Sequence, residues 1–177
     1  MIAKSEEKEL SSINAKVIVI AAVGLNGEIG FRHRLPWSIP EEMRMFRDVT
    51  LGSCVIMGRR TFQSISQPLD KRFNIVISRS LEKESLKHFA DTRVARSLRE
   101  AFDLAPVRYK KLFIIGGFEV YQQALPLANE LWISKVEYEG EADTFFPYIE
   151  KEIWSEQHVS SHQSSAIGWH FYKYKRR

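Results

Sequence analysis

The sequence predicts an α/β fold, a single domain with a mostly parallel central β-sheet, helices on both faces and antiparallel strands at its C-terminal edge. Three observations predict it. Short, predominantly apolar runs recur at Val17–Val23, Cys54–Met57, Asn74–Ile77 and Leu112–Ile115, the composition of strands covered on both faces. Segments of helical period separate them. The chain then ends in strand-like segments with no helix between them.

In chain order, residues 1–15 form a polar leader, expected to be mobile, and residues 16–177 form the domain. Val17–Val23 is the first strand, and Glu41–Val49 the first helix. Ser38 and Glu41 have the spacing of a capping box, and Pro40 falls in the first turn, where a missing N–H costs nothing. Cys54–Met57 is the next strand, followed by a helix over Thr61–Ile65. Asn74–Ile77 is a third strand, Leu98–Ala105 a helix, Leu112–Ile115 a fourth strand and Val120–Leu125 a further helix. Leu131–Tyr138, Ile153–Ser161 and Trp169–Tyr174 complete the chain as an antiparallel edge.

Composition narrows the chemistry. The 177 residues, 44% of them hydrophobic and 11 of them Phe, are enough for one core without covalent staples. The single cysteine, Cys54, excludes an internal disulfide and a cysteine-based zinc cluster, and its apolar run marks a buried thiol. No stretch has the length and apolarity of a membrane span, and the leader lacks the apolar segment of a signal peptide. The expectation is therefore a cytoplasmic protein. The net charge of +4 is spread and interleaved with acids, and the only dense block, Lys173–Arg177, alternates with aromatics as an exposed strand end would. No nucleic-acid partner is expected; a modest positive charge suits small anions. His158 and His162 lie roughly 13 Å apart if the strand is extended, so no metal site is expected.

Two clusters of residues carry chemistry. From Glu42, the positions three, four and seven residues on are Met45, Phe46 and Val49, so this carboxylate shares the apolar face of its helix. Either it bends outward to favour the helix dipole, or it is buried and requires a partner, such as an amidine-like ligand. The second cluster follows the strands. Met57-Gly58-Arg59-Arg60-Thr61, Ile77-Ser78-Arg79-Ser80 and Ile115-Gly116-Gly117 each stand where a parallel strand ends, the place where open sheets bind ligands. Helix N-termini and paired glycines admit a pyrophosphate, and Arg59, Arg60 and Arg79 suit a terminal phosphate dianion. Together they point to a phosphorylated dinucleotide, NADP rather than NAD. There is no P-loop, Gly24, Gly27 and Gly30 lack the spacing of a dinucleotide fingerprint, and no nucleophile elbow is present.

With these residues in place the chain resembles the chromosomal bacterial dihydrofolate reductases. The resemblance rests on Ile20-Ala21-Ala22, Gly30, Leu35-Pro36-Trp37 and Pro40-Glu41-Glu42; on Val55 to Phe62 with Ser64-Ile65 and Pro68-Leu69; on Arg72 to Ser78; on Ile114 to Gly117 with Val120-Tyr121 and Leu125-Pro126; and on Asp143 to Pro147. It spans about residues 16–177. It implies reduction of dihydrofolate to tetrahydrofolate by NADPH, with hydride delivered to pterin C6 and protonation at N5.

The resemblance also implies roles. Glu42 would be the acid of the substrate pocket, with Trp37 and Leu35 on a mobile loop closing over the nicotinamide. Ser134 would hydrogen-bond the acid and the pterin amine. Ile20, Ala22, Phe46, Ile65, Leu69, Ile115 and Tyr121 would form the apolar walls, and Arg72 would pair with the carboxylate of the glutamate tail. The cofactor would meet Ala22, Ile29, Gly58, Arg59, Arg60, Thr61, Ile77, Ser78, Arg79, Gly116, Gly117, Phe118, Glu119 and Val120, with a cis peptide between the two glycines. Antifolate-type inhibitors would bind the substrate pocket, and a monomer is the family default. The chain departs from the family pattern at five positions. The acid is Glu; Ser134 stands where Thr is common; Phe118 follows the glycines where a small residue is frequent; and Asp70-Lys71 replace a Pro-Gly turn, read as a surface change. Two other readings share this fold: the NADPH-dependent reductase of riboflavin biosynthesis, which lacks the Leu-Pro-Trp loop and the helix acid, and a non-catalytic pterin- or nucleotide-binding relative.

Overall fold

The computed structural model describes residues 14–164 and 167–177; the expected leader falls mainly on residues outside these. An eight-stranded sheet organises the chain, in the spatial order β5-β4-β3-β6-β1-β7-β10-β9. Its strands are β1 (Lys16–Val23), β3 (Cys54–Gly58), β4 (Phe73–Ile77), β5 (Thr92–Ala95), β6 (Lys111–Ile114), β7 (Glu130–Val136), β9 (Trp154–Gln163) and β10 (Gly168–Arg176). Every pair from β5 across to β7 is parallel, whereas β7/β10 and β10/β9 are antiparallel. The expected fold class is observed. The apolar runs are buried, as strands with a covered face on each side must be.

Among the described residues four α-helices cover the two faces: α1 (Pro40–Thr50), α2 (Arg59–Ile65), α3 (Leu98–Leu104) and α4 (Phe118–Ala124). Residues of α1 and α2 pack with Ile18, Ile20, Met57 and Ile115 on one face, and residues of α3 and α4 with Val19, Ile56 and Ile114 on the other. Cys54 is buried in the second cluster, and burial pushes its thiol up to about 12, the inert structural thiol expected.

Three expectations are corrected. The capping box at Ser38 does not form: the residue before α1 is Ile39, and no side chain caps it. Pro40 lies at the start of α1 as expected, and the acids Glu41 and Glu42 stand in the first turn, where they favour the helix dipole. The basic tail is not a free strand edge, because β10 runs between β7 and β9, although Lys175 and Arg177 stay exposed on it. Tyr174 is consequently buried and Arg176 donates to the carbonyls of Leu125, Pro126 and Ala128. The strand β5 and a two-stranded ribbon, β2 (Glu28–Gly30) with β8 (Thr144–Phe145), stand where the sequence reading placed no element.

Candidate active site

Glu42 is the focus of the site. It sits in the first turn of α1 on the face that packs against the sheet and is only 6% exposed. The open choice at this residue is thus settled by packing: the stripe of Met45, Phe46 and Val49 rotates Glu42 inward. Its one side-chain partner among the described residues is Ser134, whose Oγ donates to Glu42 Oε1 at 2.8 Å. The register explains why: β7 lies beside β1 with Ser134 opposite Ala22. Burial raises the Glu42 pKa above the ordinary carboxylate value, and the Ser134 hydroxyl pulls part of it back.

Around this acid the structure gathers an apolar wall. Ile20, Ala22, Trp37, Phe46, Ile65, Leu69 and Ile115 belong to a single cluster on the α1 face. Tyr121 packs on the opposite face but reaches through, donating its hydroxyl to the Ile20 carbonyl at 2.9 Å. Burial, and then the charge of Glu42, raise its phenol. Trp37 stacks obliquely on Tyr138, with ring centroids 5.2 Å apart, and its buried Nε1 has no hydrogen-bond partner among the described residues. A buried donor of this kind fits a pocket built to receive a polar ligand. Leu35, by contrast, is exposed at the rim.

The strand ends meet as expected at β3 and β6. The Gly58 amide donates to the Gly116 carbonyl at 2.7 Å, and the peptide between Gly116 and Gly117 is cis. Gly116 has φ of +110°, and a Cβ there would stand 3.1 Å from the Tyr121 ring; only glycine fits. Gly117 in turn faces Thr61, whose Oγ1 would lie 3.4 Å from an added Cβ, and Val120 packs beside Gly58. Phe118 and Glu119 are exposed at the start of α4, and Ile29 and Ile77 are half-buried against the core.

At the end of β4, Ser78 is buried and its hydroxyl accepts from the Leu81 amide at 2.9 Å and the Ser80 amide at 3.3 Å. Its hydroxyl organises the turn that carries the exposed Arg79. Arg96 supports the same turn, donating to the carbonyls of Ser78 and Leu81 at 2.8 and 2.6 Å. Arg59 and Arg60 line a groove of about 460 Å³ together with Arg32, His33, Arg34 and Ser64. This concentration of cations and hydrogen-bond donors suits the phosphates of a dinucleotide.

Arg32-His33-Arg34, a basic triplet directly before Leu35-Pro36-Trp37 and the one sequence signal for this part of the groove, is absent from the residues expected to bind the cofactor. These residues form a small hairpin. Phe31 and Arg34 exchange backbone hydrogen bonds at 2.8 and 3.0 Å, and Arg32 and His33 have positive φ, the conformation of a type I′ turn. Two side chains tether it: Asp143 Oδ2 accepts from the Arg32 amide at 2.8 Å, and Ser64 Oγ donates to the His33 carbonyl at 2.8 Å.

Arg72 lies at the far end of α1, buried, with Nη1 on Thr50 Oγ1 at 3.0 Å and Nη2 on Asp70 Oδ1 at 3.0 Å. Asp70 is therefore more than a surface change. Its carboxylate bridges Arg72 and Arg47, the latter at 3.2 and 3.0 Å. What burial Asp70 has would raise its pKa, but the two guanidiniums outweigh it and hold the carboxyl low.

Comparison with known proteins agrees with this arrangement. A family model described as dihydrofolate reductase matches residues 16–176. A dihydrofolate reductase of Neisseria meningitidis serogroup A is 39% identical over 165 residues, covering 90% of this chain and 99% of the relative. That of Haemophilus influenzae is 39% identical over 137 residues, covering 77% and 81%. That of Bacillus subtilis is 35% identical over 146 residues, covering 82% and 83%. By the extent of the family match and the identity to these relatives, the chain belongs to the dihydrofolate reductase family.

Proposed function

We propose that this chain reduces 7,8-dihydrofolate to 5,6,7,8-tetrahydrofolate with NADPH as the reductant. One observation carries the reading: a buried carboxylate, Glu42, stands on the sheet-facing side of α1 beside the apolar wall, with Ser134 its single side-chain partner among the described residues.

The chemistry follows from that placement. Glu42 receives the 2-amino group and N3 of the pterin, and Ser134 Oγ, already bonded to the acid, extends the same network to the pterin amine. The apolar wall excludes bulk water, so the one fixed charge acts at full strength on the nearby ring. It favours protonation at N5, the proton coming from water. NADPH, when bound, supplies the hydride that reaches C6. Gly58, Arg59, Arg60 and Thr61, the turn carrying Ser78 and Arg79, and Gly116 to Val120 hold its phosphates. Arg59, Arg60 and Arg79 favour the extra phosphate that separates NADPH from NADH. Trp37 and Leu35, on the loop between β2 and α1, close over the reacting rings. Arg72 takes the carboxylate of the glutamate tail at the other end of the pocket. Amidine-bearing antifolates compete at Glu42, and the enzyme works as a cytoplasmic monomer.

The test is NADPH oxidation with dihydrofolate, beside NADH and beside Arg59→Gln. Turnover with NADPH at least about tenfold faster than with NADH, the gap narrowing in the variant, is the expected result. Tight NADPH binding without turnover of dihydrofolate refutes the reading.

A further inference from the structure

At the opposite end of the sheet, where β1, β6 and β7 begin, lies a second concavity of about 420 Å³. Five adjacent strands build it: Lys16 and Ile18 from β1, Lys111 from β6, Glu130 and Trp132 from β7, Gln157 and Val159 from β9, and Lys173 and Lys175 from β10. The floor is the indole of Trp132, which is wedged edge-on between Phe113 and Phe171. From Lys16 to Ala22 the strand advances roughly 20 Å, so this concavity is separate from the site around Glu42.

Its charge balance is lopsided. Four ammonium groups share one carboxylate. Glu130 is already committed on both oxygens, Oε1 to Lys16 Nζ at 2.5 Å and Oε2 to Trp132 Nε1 at 2.7 Å. The positive neighbours outweigh its burial and hold Glu130 in the ionised form. Lys173 and Lys111 instead place their ammonium groups over the Trp132 ring, at 4.2 and 5.7 Å from its centroid. Among the described residues Lys111 and Lys173 have no acidic partner within ion-pair distance, and Lys175, opposite Glu130 in the β7/β10 register, acts on that carboxylate only through the longer-range field. Holding several like charges over one aromatic surface is unfavourable until an anion neutralises them. Lysine tips on flexible stems also leave the ring cheaply, because their stems stay against apolar surface as the heads turn.

We propose that this concavity is a second ligand site, for a small molecule carrying two or more phosphate groups in a chain. Successive phosphates meet Lys111, Lys173 and Lys175, while Gln157 donates from the rim. Trp132 remains beneath them as a rigid floor whose Nε1–H reports occupancy through its bond to Glu130.

The test uses the full chain and the indole N–H resonance of Trp132, assigned by its loss in Trp132→Phe. Titration with inorganic tripolyphosphate moves that resonance saturably, and the movement weakens as salt is added. The double variant Lys111→Gln, Lys173→Gln binds roughly tenfold more weakly, while its dihydrofolate reduction stays at the parent level, which shows that it folds. A parallel titration with adenosine triphosphate separates two sources of the same chemistry: equal affinity assigns the phosphate chain alone, and tighter binding adds the nucleoside as part of the ligand. The proposal is overturned if the Trp132 resonance does not move. It is equally overturned if sulfate at matched ionic strength moves it as far, or if the double variant binds as tightly as the parent.

Discussion

Replacing Glu42 by Gln should slow dihydrofolate turnover severely and, above mildly acidic pH, make the fold more stable. Glu42 is 6% exposed and receives one hydrogen bond, from Ser134 at 2.8 Å. Burial therefore raises its pKa above the ordinary value of 4.5. In the unfolded chain the proton leaves near that ordinary value; in the folded chain it leaves later. The folded state thus holds more protons through the window between the two. The stability associated with the protonated acid is complete below the unfolded pKa and is lost as pH rises through the folded one. The slope inside that window approaches about 1.4 kcal/mol per pH unit. Gln has no proton to lose, so its curve lacks the slope. Below the window Glu42 is itself a neutral acceptor for Ser134, and the two proteins converge there. Urea unfolding at steps from roughly pH 4 to 8 measures the difference, provided the slope against denaturant is unchanged. The variant should gain on the parent through the window and then run parallel to it. Dihydrofolate turnover should fall by roughly two to four orders of magnitude. A difference that is flat with pH, or a variant less stable at neutral pH, would show that the carboxylate is well compensated in the fold and would refute the reasoning.

Two further outcomes follow from neighbouring bonds. Ser134→Ala removes the one side-chain donor to Glu42, so it should cost about 1.5–3 kcal/mol at neutral pH and move the acid-side limb of the rate profile upward; a limb that stays in place counts against the role of the hydroxyl. Asp70→Asn weakens the internal partner of Arg72 and should lower KM several-fold for dihydrofolate, with no change for a pterin that lacks the glutamate tail. Equal change for both substrates means that Arg72 does not receive the tail.

Much of the parallel half of the sheet was legible because a buried strand must be apolar along its length. Val17–Val23 and Cys54–Met57 differ from the structure by one residue at one end. The strand β5 was not legible for the same reason in reverse: in Thr-Arg-Val-Ala, at the edge of the sheet, Arg93 is exposed and breaks the run. The ribbon of β2 and β8 is too short to show a period. In the site, Glu42 stood out because a charge interrupts an apolar stripe, and the glycines because they follow strands. The pairing of Glu42 with Ser134, 92 positions apart in sequence, was reached only through the family resemblance, because no local pattern encodes the register between β1 and β7 on which it depends. The partnership of Asp70 with Arg72 was near in sequence and still hidden. An acid two residues from an arginine is ordinary surface chemistry until the arginine is found to be buried.

The hairpin over the basic groove is fastened almost wholly through its backbone. Asp143 and Ser64 hold the amide of Arg32 and the carbonyl of His33, while Asp143 N meets Gly30 O at 2.9 Å and Phe146 N meets Gly27 O at 2.7 Å. None of these bonds consults the side chains of Arg32, His33 or Arg34. The hairpin can therefore exchange the groups it shows to a ligand without loosening its own moorings, so that ligand preference is free to drift along a lineage while the hairpin's own fold is inherited unchanged.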